Sequence, residues 1–119
     1  MYSAELLDHF EHPRNPGEIA DADAVAEIEN PVCGDVIRLT LKFSSGHITH
    51  ARFKAKGCVP SMACASALTE LICGKTMEQA RTLGYEQLIT AVGGVPQAST
   101  HAAYLALDVL SAALDRVQA

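Results

Sequence analysis

The spacing of apolar side chains changes along this chain, and each change marks an element. Leu6, Leu7 and Phe10 keep helical spacing behind Ser3, a good capping residue, and Pro13 stops the pattern. A short helix is therefore predicted over residues 3–12. The PRNPG stretch that follows reads as a loop, and residues 24–29 as a weak strand. After residue 36 the period becomes two. Ile37, Leu39, Leu41 and Phe43 alternate with Arg38, Thr40 and Lys42, the pattern of a half-buried strand. The SSG stretch at 44–46 predicts a hairpin turn. The return strand at 47–55 places Ala51, Phe53 and Ala55 on one face, with His50, Arg52 and Lys54 on the other. So short a turn makes the pair antiparallel.

Helical spacing returns after Cys58. Pro60 suits the first turn of a helix and Gly74 its stop. Thr76 with Gln79 resembles a capping box and opens a short helix that ends near Gly84. Another helix is expected over 85–91, and GGVPQAS reads as a loop. The last helix starts near Ser99 or Thr100 and keeps Leu107, Leu110, Leu114 and Val117 on one face. No internal repeat or linker interrupts the chain, so residues 1–119 read as a single domain. The order of helix, strands and helices predicts an α+β fold, a three-stranded antiparallel sheet with helices packed on one face.

Composition narrows the function. The 119 residues are 49% hydrophobic and 19% charged, enough apolar surface for a packed core. A net charge of -5 argues against a nucleic-acid partner. No apolar run approaches the roughly 18 residues of a membrane span. The opening MYSAELLDHF lacks the order of a signal peptide, so a cytoplasmic protein with reduced thiols is expected. Its four cysteines then point to metal or thiol chemistry, and no C-x-x-C pair suggests a zinc ribbon.

Cys33 lies on a Pro-Val-Cys-Gly turn with a carboxylate, Asp35, two residues on. Cys58 follows a strand and opens a helix, where the dipole favours thiolate. Antiparallel pairing brings these two cysteines to one end of the sheet. Two readings stand at this point: a metal site that includes Asp35, or two small half-buried cysteines that meet by accident. Cys64 and Cys73 fall on opposite faces of their helix and cannot share a site. Cys64 reads as a small core residue, and Cys73 lies roughly 20 Å from Cys58. His9, His12, His47 and His50 read as solvated, and the last two have opposite strand parity.

These motifs together resemble a known family. YSAELLDHFEHPRNPG, NPVCGD, ARFKAKGC followed by SALTE, and HAAYLALDVLSAAL are similar to successive parts of the iron–sulfur cluster scaffolds, IscU and the N-terminal domain of NifU. The resemblance covers nearly the whole chain and implies a SufE/IscU-like fold. It implies that Cys33 and Cys58 hold zinc, iron or a cluster, and that Asp35 is either a ligand or a brake on cluster stability. The chain departs from the family where the closing helix begins. A His-Cys pair reads here His101-Ala102, so the third cysteine is absent. His101 is the candidate to fill that gap, because a histidine in the first turn of a helix keeps a neutral nitrogen for metal. The chaperone-docking stretch Leu-Pro-Pro-Val-Lys reads here Val95-Pro96-Gln97-Ala98-Ser99, and chaperone docking does not carry over.

The expected function is a scaffold that holds zinc or iron and a transient [2Fe–2S] cluster through Cys33, Asp35, Cys58 and His101. The resemblance implies a cysteine desulfurase as sulfur donor, and acceptor apo-proteins or carrier proteins as recipients. The alternative is a zinc- or iron-binding regulatory or sulfur-acceptor module that builds no cluster. An enzyme is the weakest reading, since no acid–base pair or phosphate loop appears, although sulfur transfer through Cys33 or Cys58 would be covalent chemistry.

Overall fold

The computed structural model describes residues 2–31 and 34–117. Its elements follow the predicted order: α1 (Ala4–Glu11), β1 (Ala24–Asn30), β2 (Asp35–Ser44), β3 (His47–Lys56), α2 (Val59–Ile72), α3 (Met77–Arg81), α4 (Tyr85–Ala91) and α5 (Thr100–Asp115). A single 3₁₀ turn, Gln97–Ser99, leads into α5. Ser3 caps α1 by accepting the Leu6 N–H at 2.9 Å. The capping box of α3 is present in both directions, between Thr76 and Gln79.

The sheet has the order β1-β2-β3 and is antiparallel throughout. Its turn at 44–46 places both Ser45 (φ 52°) and Gly46 (φ 78°) in the left-handed region, as the tightest hairpins require. Ala24, Ala26, Ile37, Leu39, Leu41, Ala51 and Phe53 make the buried face. Helices α2 and α5 cover that face. The remaining edge of β3 is paired by the loop after α1: Phe53 N–H donates to Asn15 and Gly17 N–H to Phe53. That loop removes an exposed edge.

One irregularity breaks the strand pattern. The register runs Lys42↔His50 and then Phe43↔Ile48, so Thr49 has no partner and forms a bulge. The bulge resets parity within β3. Ile48 is buried, and His47 and His50 are both exposed, rather than lying on opposite faces as strict alternation would have it.

Helix α2 packs against α1, β3, α4 and α5. That explains its run of small residues: Ala63, Cys64, Ala65 and Ala67 are all buried and let four neighbours approach. Cys64 is a core residue, as expected, and burial pushes its thiol up to about 12. Polar groups on α2 are paired. Ser66 Oγ accepts the Arg14 N–H at 2.8 Å and shares a 2.8 Å hydrogen bond with His9 Nδ1. Thr69 Oγ1 donates to the carbonyls of Ser66 and Arg14. His9 is thus buried, 6% exposed, which corrects its reading as a solvated residue. It lies one turn from Leu6, on the face that α1 turns toward α2.

Burial holds His9 below its ordinary value of 6.5, with Arg14 acting in the same direction and Glu70 and Asp8 opposing. The folded value is depressed, so the unfolded chain binds the proton more readily. The contribution of His9 to stability is complete above about 6.5 and is lost as the pH falls below it. His9→Gln should flatten that part of the stability–pH curve, measured by chemical denaturation at several pH values. Ser66→Ala should cost about 1–3 kcal/mol, because it strands two buried partners; urea unfolding of the variant at neutral pH measures it.

Candidate metal centre

Three elements begin at one end of the sheet. Asp35 is the first residue of β2 and pairs with Asn30, the last of β1. The next pair, Val36↔Lys56, closes β3, so the chain that follows β3 runs past Asp35. The next residue is Gly57, with φ 131°, a conformation that favours glycine. A Cβ there would stand 2.6 Å from Asp35 Cγ and 2.9 Å from Asp35 Cα. Glycine lets the backbone lie directly against the carboxylate. Cys58 follows as the N-cap of α2, and Pro60 occupies the first turn. His101 reaches the same point from the first turn of α5, beside the fully buried Ala102 and Ala103. Those small residues let α5 approach the sheet closely.

The carboxylate of Asp35 is the hub. Its Oδ1 accepts the Cys58 backbone N–H at 2.9 Å. Its Oδ2 accepts the Ser61 hydroxyl at 2.8 Å and the Cys58 thiol at 3.2 Å, and lies 3.3 Å from His101 Nε2. Cys58 Sγ is 4.0 Å from the same imidazole nitrogen. Asp35 is 1% exposed, Cys58 is half-buried, and the His101 side chain is 30% exposed. The site therefore opens to solvent on its imidazole side. There His101 forms part of a groove of about 320 Å³, walled by residues 28–31 and by Tyr104, Leu105 and Asp108.

Burial pushes the Asp35 carboxyl up, but hydrogen bonds from Ser61, Cys58 and His101 outweigh it and hold the group below the usual carboxylate range. Burial pushes the Cys58 thiol up, with Asp35 adding to the effect and Ser61 opposing it. The expectation of a thiolate at this helix N-terminus is corrected: burial, with the Asp35 carboxylate beside it, favours the protonated thiol. A cation bound beside Asp35 would act the other way and favour the thiolate.

The ligand-type atoms of Asp35, Cys58 and His101 all lie within 4.8 Å of one another. Two donors on one tetrahedral zinc lie roughly 3.3–3.8 Å apart. The separations here, 3.2, 3.3 and 4.0 Å, are close to that spacing before any ion draws them in. The mixed sulfur, oxygen and nitrogen set suits zinc or iron(II). No other cluster of three or more such side chains occurs among the described residues. The structure thus brings together three of the four residues singled out from the sequence. The fourth, Cys33, lies outside the described residues. Cys73 is exposed at the far end of α2, away from the site.

Sequence reasoning missed Ser61. It is fully buried and touches both Asp35 and Cys58. The signal was available: it sits three residues after the N-cap, the spacing at which a polar side chain meets the capping position.

The fold is an α+β domain with a set of metal-ligand-type side chains at one sheet end, and sequence comparison identifies the family. The NifU-like N-terminal domain model matches residues 1–119, and the chain belongs to that family. It is 40% identical over 114 residues to the iron–sulfur cluster assembly scaffold protein IscU 1 of Archaeoglobus fulgidus, covering 96% of this chain and 74% of that one. It is 41% identical over 83 residues to the zinc-dependent sulfurtransferase SufU of Bacillus subtilis, covering 70% and 56% respectively. Among solved structures, the SUF-system protein FiSufU of Fervidobacterium islandicum AW-1 superposes with a TM-score of 0.83 at 25% identity, covering 95% and 96% of the two chains.

Gly57→Ala should displace the Asp35 carboxylate, since a methyl group there has no room and the backbone angle favours glycine. We expect a measurable fall in melting temperature together with loss of zinc binding. Differential scanning calorimetry and elemental analysis of the purified variant would show both.

Proposed function

We propose that this protein is a scaffold in iron–sulfur cluster assembly. It receives sulfur from a cysteine desulfurase and passes a transient [2Fe–2S] cluster to acceptor apo-proteins or carrier proteins. The observation that carries this reading is the convergence of Asp35, Cys58 and His101 in a chain of the NifU-like N-terminal family. Relatives named as cluster scaffolds match over most of its length, including IscU 1 of A. fulgidus. Cys33 joins the set on the strength of its NPVCGD motif.

Each residue has a distinct part. Cys58 offers a thiol that exchanges its proton for a metal. Asp35 is a buried anion that favours a cation in the site and disfavours an unmetallated thiolate beside it. His101 offers an imidazole nitrogen on the solvent side. When bound, the ion or cluster supplies thiophilic iron or zinc chemistry, and the hard carboxylate makes such a centre more labile than one held by thiolates alone. Lability is what a scaffold needs for transfer. A cytoplasmic setting, where thiols stay reduced, belongs to the same reading. No helix of the described chain is long and apolar enough to cross a membrane.

A second reading rests on a specific observation. Position 102 is alanine, fully buried beside His101, so this site has one thiol fewer than the family pattern. With a mixed donor set, the protein would then hold zinc and accept sulfur at Cys33 or Cys58 without building a cluster. The relative named as a zinc-dependent sulfurtransferase fits this alternative.

Anaerobic reconstitution with iron, a desulfurase and cysteine separates the two. A scaffold develops visible iron–sulfur absorption, and a zinc module does not. In either case Cys58→Ala should abolish zinc binding, while Cys64→Ala should leave it intact, both by elemental analysis. His101→Ala should weaken zinc binding by about tenfold or more, as expected for loss of a ligand or its close partner. Parent-like affinity in that variant would leave water in the fourth position. Ala102→Cys should slow the decay of visible absorption, since thiolate is softer than imidazole or carboxylate.

A further inference from the structure

We propose that Ser61 is a positioning residue for the Asp35, Cys58 and His101 site, and that its hydroxyl keeps Asp35 Oδ2 turned toward the metal position. The proposal rests on the reading of that trio as a metal site.

Oδ2 receives three contacts: Ser61 at 2.8 Å, the Cys58 thiol at 3.2 Å and His101 Nε2 at 3.3 Å. Two of these cannot persist when a metal binds. Cys58 must give up its hydrogen to bind as thiolate, and His101 must present a lone pair at Nε2 in place of a hydrogen. Ser61 has nothing to give up. Its hydroxyl does not ionise in this range and needs no metal contact to stay on Oδ2. It is therefore the contact to Oδ2 that can serve the empty and the loaded site alike.

Its place in the helix makes the anchor stiff. Ser61 lies one turn after the N-cap Cys58, with the Met62 N–H already bonded to the Cys58 carbonyl. Asp35 is gripped at both oxygens by that single turn, Oδ1 by the Cys58 N–H and Oδ2 by Ser61. Rotation of the carboxylate would break one grip or the other. Ser61 is fully buried, so water does not readily replace a deleted hydroxyl. Without it, one face of Oδ2 would lack a partner, and of the two grips from this turn only the Cys58 N–H on Oδ1 would remain. Partners one step behind a metal ligand typically account for 10–100-fold in metal affinity.

The test compares Ser61→Thr with Ser61→Val. The two side chains have nearly the same shape and differ in the hydroxyl, so any cost of the added bulk is shared. Zinc affinity is measured by competition with a chromophoric chelator, and folding by circular dichroism. Ser61→Thr should bind at least about tenfold more tightly than Ser61→Val. A double-mutant cycle separates positioning from general support of the helix. In an Asp35→Ala background, Ser61→Ala should cause no further loss of zinc affinity. A purely structural role would give the same loss in both backgrounds, and that result overturns the proposal. Equal affinities of the Thr and Val variants would overturn it as well. If the parent fails to bind zinc, or binds it independently of Asp35, the metal-site reading itself fails.

Discussion

The carboxylate of Asp35 is the constraint on which the site end of the molecule depends. A buried anion is tolerated only where donors replace the water it has lost. The donors come from separate places: the backbone of Cys58, the side chains of Cys58 and Ser61 at the head of α2, and the imidazole of α5. Satisfying one charge therefore fixes where β2 starts relative to α2 and where α5 must arrive. The first residue after β3 has to be glycine for the same reason. Any side chain at 57 would occupy space that the carboxylate holds. Sheet, central helix and closing helix meet where they do because an acid at one strand end needs partners from the other two.

The central helix shows the same economy in apolar form. α2 is covered on most sides and can be built only from small residues and evenly placed leucine and isoleucine. Its polar groups beyond the first turn, Ser66, Thr69 and Glu70, are taken up by α1 and the loop after it. What chemistry it carries is confined to its N-terminal turn, where Cys58 and Ser61 meet Asp35. The other thiol within it, Cys64, is sealed in the core and inert, its proton held to about 12.

Much of this was legible in the sequence, because it follows from local periods. The alternation in β2, the capping box of α3 and the proline and glycine that bracket α2 each imply an element without reference to the rest of the chain. Asp35, Cys58 and His101 were legible as a set through their motifs and through antiparallel geometry. The failures arise where a residue's surroundings are set by another element and not by its own period. His9 looks polar along its own helix, yet its partner Ser66 lies far along the chain on α2. The bulge at Thr49 carries no glycine to announce it, and it reverses the parity on which the reading of His47 and His50 rested. Cys58 was read from the helix dipole alone. The burial and the neighbouring anion that reverse the outcome appear only once β2 and α2 stand side by side.

The gradient of exposure across the site gives these contacts a direction. Asp35 is sealed, Cys58 is half-buried, and the His101 side chain faces the groove between residues 28–31 and α5. The groove beside His101 gives the site a face open to solvent. The most firmly held ligand-type group is thus also the hardest, while the imidazole of His101 is partly open to the groove. An all-thiolate site closed on every side would hold its ion longer but offer no face for exchange. On the proposed reading, placing the anion at the back and the imidazole at the front lets charge attract a cation while the outer ligand yields first. Alanine at position 102 fits the same arrangement: it is fully buried in the first turn of α5, and it leaves the imidazole of His101 as the ligand-type group that this turn brings to Asp35 and Cys58.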